Sequence, residues 1–237
     1  MKRIIASFLM LLTITSISAQ KKQKIDVDVV QDVHIDANLD EWFAWVDVAN
    51  EGLWAYQLLQ NKEYVFIAVR VYDALLQQMA ARHGIVFCIP ASKANKEVAQ
   101  LIYPFPDGES RRALMQNPEL HQDYKQQLIE RSRGYAVQGF IGIPTGLLSL
   151  KNAYGIQAKA KIVDEAFVYE AAIPKAAIHM PKEGLILKIG INDGLSFVPK
   201  SSSRPGSGPS ANKRIAAQTR PAKSKQTRML LLETTMK

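Results

Sequence analysis

The chain has 237 residues, 47% hydrophobic and 22% charged, with eleven prolines and one cysteine, Cys88. That composition excludes a wholly disordered chain and a collagen-like repeat, and a single cysteine excludes a disulfide framework or a cysteine zinc cluster. The formal charge of +8 is uneven: residues 200–237 carry nine basic side chains against Glu233 alone, which leaves residues 20–199 mildly acidic and argues against a globally basic nucleic-acid-binding surface.

Met1-Lys2-Arg3, the apolar run Ile4 to Ile14 and the small residues Ser16 to Ala19 have the form of a secretory signal peptide, residues 1–19, cut after Ala19. The run is too short for a bilayer span, which takes about 20 apolar residues. It does not end in a cysteine that could carry a lipid anchor. The expectation is an exported protein, periplasmic or extracellular, with no membrane-spanning segment.

Beyond residue 20, short segments of period-two alternation dominate. Ile25 to Val29 alternates, and Leu53 to Leu59 is a second strand. In Tyr64 to Tyr72 one face is Val65, Ile67, Val69 and Val71, and the other Tyr64, Phe66, Ala68, Arg70 and Tyr72. Ile85 to Ile89 is apolar throughout, as a central strand would be. Further strands are expected at Val98 to Tyr103, Tyr135 to Ile143, Ile156 to Val163, Phe167 to Ile173 and Leu185 to Ile191. In Ile156 to Ile162, Gln157, Lys159 and Lys161 alternate with apolar residues, so one face meets solvent. Asn117-Pro118 opens a polar segment that runs to Gly134, with Leu120, Tyr124 and Leu128 four residues apart. That pattern predicts a surface helix capped by Asn117. Asp73 to Arg82 reads as a shorter helical turn. Residues 200–228 are rich in Ser, Pro, Gly, Lys and Arg without an acid, and such a stretch is expected to be a disordered basic loop. Met229 to Thr234 is strand-like again, so residues 229–237 are expected to supply the last strand. The predicted fold is all-β, a jelly-roll or immunoglobulin-like β-sandwich over residues 20–199 with one surface helix.

Val33-His34-Ile35-Asp36-Ala37-Asn38-Leu39-Asp40-Glu41-Trp42 resembles the opening of the family-nine carbohydrate-binding modules. Tyr64 to Asp73 looks like their central strand, Gly84 to Ile89 the next, Val168-Tyr169-Glu170-Ala171-Ala172-Ile173-Pro174 their late strand, and Leu187 to Asp193 the one after it. The resemblance spans about residues 24 to 234 and implies a secreted sandwich of the carbohydrate-binding type. In sugar-binding members two tryptophans clamp a sugar ring. The corresponding places here, Ala80 to His83 and the basic 200–228 stretch, hold no tryptophan, and the usual glycine after the first Asp is Ala37.

Sugar recognition needs flat apolar faces and planar polar groups at their rim. Trp45 and Trp54 flank the polar loop Asp47 to Gly52 and are candidate platforms, although a tryptophan in a sandwich is more often core. In the resemblance, Trp42 is structural. Arg70, within the aromatic face of its strand, is a candidate donor to hydroxyls or a carboxylate. The competing reading has that face covered by the 117–134 helix and Arg70 paired to an acid. Asp36-Ala37-Asn38-Leu39-Asp40 has a D-x-N-x-D spacing. It lacks the glycine and final glutamate of a helix-loop-helix calcium site, so a structural calcium at Asp36 and Asp40 competes with a plain acidic turn. Glu165 and Glu170 are five residues apart on one strand and cannot converge on one bond, while Glu170 and Lys188 are candidates for a cross-strand pair. No nucleophile–base pair is evident, and no enzyme is expected.

The first functional reading is therefore a secreted non-catalytic module binding a glycan. The second is an envelope-associated structural protein that keeps the fold without the sugar site, its basic loop meeting an anionic envelope polymer. A remote third is a haem-binding relative using Met79 and His83, which are four residues apart.

Overall fold

The computed structural model describes residues 23–48, 51–90, 98–116, 123–180, 185–194 and 229–235. The signal-peptide segment 1–19, the Asn117 cap and the basic stretch 200–228 lie outside the described residues.

Thirteen described strands form two sheets. In chain order they are β1 (Gln23–Asp26), β2 (Asp28–Val29), β3 (Val46–Asp47), β4 (Trp54–Gln60), β5 (Tyr64–Val71), β6 (Ile85–Ile89), β7 (Ala99–Tyr103), β8 (Gly134–Gln138), β9 (Gly146–Ser149), β10 (Gln157–Val163), β11 (Ala166–Pro174), β12 (Leu185–Ile191) and β13 (Met229–Thr235). Sheet A runs β1-β13-β12-β6-β7-β8-β9, and sheet B runs β10-β11-β5-β4-β2 with β3 also paired to β4. The pairing is antiparallel except for β1 with β13 and β2 with β4.

Alternation places the core. Val65, Ile67, Val69 and Val71 of β5 turn inward with Trp54, Tyr56 and Leu58 of β4 and Phe167, Tyr169, Ala171 and Ile173 of β11. They meet Ile85, Phe87, Leu101, Val137, Leu187 and Ile189 of sheet A in one apolar layer. Fully burying a side chain of this size contributes about 1.5–3 kcal/mol, so the layer between the sheets is the main source of stability.

Several elements differ from the sequence expectation. The strand expected at 25–29 is split, because Val27 is buried in the core and the chain crosses there from sheet A to sheet B. The strand expected at 135–143 ends at Gln138. Gly139 follows at φ +66°, and a Cβ there would lie 2.3 Å from the Val98 carbonyl oxygen. Strands β3 and β9 were not expected. The helical turn expected at Asp73 to Arg82 is α1 (Ala74–His83), the described part of the helix expected at 117–134 is the shorter α3 (Tyr124–Glu130), and α2 (Gly108–Gln116) was not expected. Asp73 caps α1 by accepting from the Leu76 N–H at 2.8 Å. Each helix buries one face and leaves the other in solvent: Leu76, Ala80, Ala81, Leu114, Leu128 and Ile129 join the inter-sheet core, while Leu75, Glu109, Arg112 and Glu130 are exposed. Leu128 and Ile129 together widen the stripe that Tyr124 and Leu128 alone make look narrow. No helix among the described residues is long and apolar enough to cross a membrane.

Candidate functional site

The face of sheet B that points away from the core is covered in part by an irregular segment, residues 30–45. Val33 and Trp42 are buried there with Leu59, Phe66, Ala68 and Ala172, and Val30, Ile35, Leu39 and Trp45 pack around them. The cover over Phe66 and Ala68 is therefore this segment and not the helix expected at 117–134.

One side chain fastens the cover. Glu170 of β11 is 0% exposed. Its Oε2 accepts the backbone N–H of Ala37 at 2.7 Å and of Asp36 at 3.0 Å, and its Oε1 accepts Trp42 Nε1 at 2.7 Å. Burial pushes the Glu170 carboxyl above its ordinary range, and the donors from Ala37, Trp42 and Asp36 oppose that rise. The cross-strand pair expected between Glu170 and Lys188 is corrected by this geometry. Lys188 lies on β12 in sheet A, opposite Cys88, while Glu170 lies in sheet B, opposite Ala68 and Lys159. Glu165 sits in the exposed β10–β11 turn, so the two acids are indeed kept apart.

The registers define the rows of the outer face, in which Gln57, Ala68, Ala55 and Val168 are buried. One row runs Gln57, Ala68, Glu170, Lys159, and the next Asp47, Ala55, Arg70, Val168, Lys161. Trp45 precedes the Val46–Tyr56 pair and so heads the first row. Gln57 Oε1 accepts the Ala44 N–H at 3.1 Å, which holds the Phe43–Trp45 stretch against β4. Trp45 is half-buried, its Nε1 donating to the Trp42 carbonyl at 3.2 Å. Arg70 is half-buried, and its guanidinium carbon lies 5.5 Å from the centroid of the Tyr72 ring, a cation–π distance. Among the described residues, Arg70 Nε and Gln57 Nε2 are buried donors without a hydrogen-bond partner. Tyr72 is 46% exposed and Phe43, at the rim, 72% exposed. Lys159 and Lys161 are exposed on β10. Two half-open aromatic rings and a planar donor along one sheet face can stack on a sugar ring and bond its hydroxyls.

The sequence-predicted residues separate on this map. Trp45 and Arg70 fall on the outer face. Trp54 does not: it is 0% exposed, between the sheets beside Tyr56, with ring centroids 6.4 Å apart, so its role as a platform is corrected to core. Arg70 is held by an aromatic ring where an acid was the competing expectation. Asp36 Oδ1 accepts the Asn38 N–H, and Asp40 Oδ2 accepts Asn38 Nδ2. Among the described residues no three His, Cys, Asp or Glu side chains gather as a metal would need. A calcium ion takes about six to eight oxygens, of which this turn brings together the side chains of Asp36, Asn38 and Asp40. Met79 packs on the inter-sheet core, whereas the His83 ring lies over Gly194. Sequence reasoning missed Phe43, Gln57 and the lysines as members of the face. The lysine alternation in β10 was the available signal for the last two, and nothing marks Phe43 off from Trp42 beside it.

No family model and no curated protein matches the chain. Among solved structures, it is similar to a family 9 carbohydrate-binding module from Caldicellulosiruptor kristjanssonii in complex with glucose. That similarity has 12% identity and a TM-score of 0.39, over 71% of this chain and 78% of the other. It is also similar to such a module from the same organism in complex with cellotriose, at 10% identity and a TM-score of 0.38, over 72% of this chain and 78% of the other.

Proposed function

We propose that the protein is an exported, non-catalytic binding module that takes a glycan on the outer face of sheet B, at the rim where Phe43, Trp45, Arg70 and Tyr72 are reached by solvent. The observation that carries this reading is the half-buried Arg70 guanidinium, 5.5 Å from the centroid of the half-exposed Tyr72 ring on the same face as Trp45. Trp45 supplies the second flat surface. Glu170 is buried and holds three donors, so it is not placed to act as one of the two carboxyl groups of glycoside hydrolysis.

Titration of intrinsic tryptophan fluorescence with soluble polysaccharides tests the reading, because Trp45 is more open than Trp42 and Trp54. A saturable shift with one glycan class is expected. Trp45→Ala and Arg70→Ala should each weaken binding by about tenfold or more, equivalent to roughly 1.4 kcal/mol. Trp54→Phe, a core substitution, should leave the affinity unchanged. A folded protein that shifts with no glycan would overturn the reading and favour an envelope-associated structural role.

A further inference from the structure

We infer that the β10 edge of sheet B is built to refuse a further strand, and that Tyr135, Gln126 and Asn152 keep a second copy of this chain from pairing along it. Strand β10 is the last described strand on its side of sheet B, and it has seven residues. A bare edge of that length is a template for another chain. The register tells which of its groups face outward. Val163 and Ala166 pair across the two-residue turn Asp164–Glu165, whose φ angles are +46° and +62°, so the odd-numbered residues of β10 bond to β11. Ala158, Ala160 and Ile162 turn their N–H and C=O groups the other way.

Side chains from elsewhere in the fold meet these groups. Tyr135 reaches across from β8 of sheet A. Its hydroxyl accepts the Ala158 N–H at 3.2 Å and donates to the Ala158 carbonyl at 3.3 Å. Gln126 of α3 accepts the Ile162 N–H on its Oε1 at 3.0 Å, while its Nε2 donates to Glu130 at 2.9 Å. Asn152 Nδ2 donates to the Ile156 carbonyl, just before the strand, at 2.9 Å. Helix α3 is itself tied down, since Lys125 donates to Gln77 Oε1 and Gln77 Nε2 donates to the Glu165 carbonyl in the turn. Ala160, midway, has no such partner among the described residues. Tyr135 is buried, so an arriving strand that took the Ala158 groups would leave its hydroxyl inside the protein with the Leu150 carbonyl at 3.4 Å, a costly exchange. The lysines add a second barrier. Two copies joined edge to edge about a two-fold axis at Ala160 would set Ala158 opposite Ile162 and Lys159 opposite Lys161, and like charges directly opposite repel. A plainer role for the same bonds is to fasten α3 and β8 to β10. That role predicts lost stability without association, so the mass of the variants separates the two.

Amide hydrogen exchange on the purified full chain tests the closed edge directly. The Ala158 and Ile162 amides should exchange about tenfold or more slowly than that of Ala160, and equal rates would overturn the inference. Analytical ultracentrifugation then tests what the closure prevents. The double substitution Gln126→Ala and Tyr135→Phe, shown to be folded by circular dichroism, should self-associate about tenfold or more tightly than the parent. Adding Lys159→Glu, which sets opposite charges face to face, should tighten the association further, and raised salt should weaken that gain. Adding Ala160→Pro, which removes the central outward N–H at an edge where proline is tolerated, should return the variant to the parent's mass. If Tyr135→Phe does not fold, Gln126→Ala with Lys159→Glu carries the same comparison. A folded variant that sediments as the parent does would overturn the inference. So would an association that survives Ala160→Pro, because it would run through another surface.

Discussion

Glu170 is a carboxylate out of reach of water, and such a group is tolerated only when its lone pairs are filled. Its three donors come from Asp36, Ala37 and Trp42, so the loop and the strand depend on each other. Because burial raises the pKa from the ordinary 4.5, the folded protein holds this proton more tightly than the unfolded chain does. By linkage, the stability due to Glu170 is fully present below the ordinary carboxylate value and is lost as pH rises through the raised one. Urea unfolding followed from about pH 4 upward should therefore show a declining free energy. Glu170→Gln should abolish that slope. It should also destabilise by about 1–3 kcal/mol where the slope is flat, because an amide offers one acceptor oxygen where two are used and turns an NH2 toward a donor. A glutamine variant with the parent's stability and the parent's slope would show that the carboxylate is not the fastening point. The tryptophans teach a related lesson. Trp45 and Trp54 look alike in the sequence, yet Trp54, Tyr56 and Leu58 form the inward set of β4, a W-x-Y-x-L pattern that was readable. Nothing local distinguishes Trp45, whose half-open position depends on Gln57 holding Ala44 from the neighbouring strand.

Among the elements, the irregular cover over residues 30–45 depends on a sharp turn at Ala37, where φ is +66°. An L-residue in that region costs roughly 1–2 kcal/mol, and the methyl that a glycine would give up contributes about 0.8 kcal/mol. Ala37→Gly is therefore expected to stabilise the protein by up to about 1 kcal/mol, seen as a higher Tm, with the Glu170 bonds intact. A lower Tm would mean that the buried methyl outweighs the strain. The same element shows what a sequence conceals. Strands β5, β6 and β12 were legible because alternation, or an unbroken apolar run, is written into each of them. The cover has neither period, and it is fixed by a carboxylate 128–134 residues further along the chain. Helix α2 was equally silent: Gly108–Gln116 is mostly polar, and only Leu114 of its described side chains enters the core. The two-residue strand β3 is too short to carry any period at all.

At the scale of the whole molecule, sheet A is closed by the end of the chain. Strand β13 lies between β1 and β12, parallel to the first and antiparallel to the second. It is the only described link that holds β1 in its sheet. Leu187 and Ile189 of β12 sit in the inter-sheet core at 0% exposure, next to the edge that β13 covers. Deleting residues 229–237 would therefore detach β1, strip β12 of its outer hydrogen-bond partner and open the core along that side. Unpaired strand edges of this kind also recruit other chains. The truncated protein is expected to lose its cooperative unfolding transition, to bind a hydrophobic dye at neutral pH and to self-associate, all measurable by circular dichroism, fluorescence and light scattering. A synthetic peptide spanning residues 226–237 should restore part of the transition when added in trans, because the missing element is a strand with a defined register, Leu187 opposite Leu232. Long-range pairing of this kind forms late and slowly in a chain with many non-local contacts, so the peptide should act more strongly when present during refolding than when added afterwards. A truncated chain that still melts cooperatively, at the parent's temperature and without dye binding, would show that the two sheets stand without their last strand.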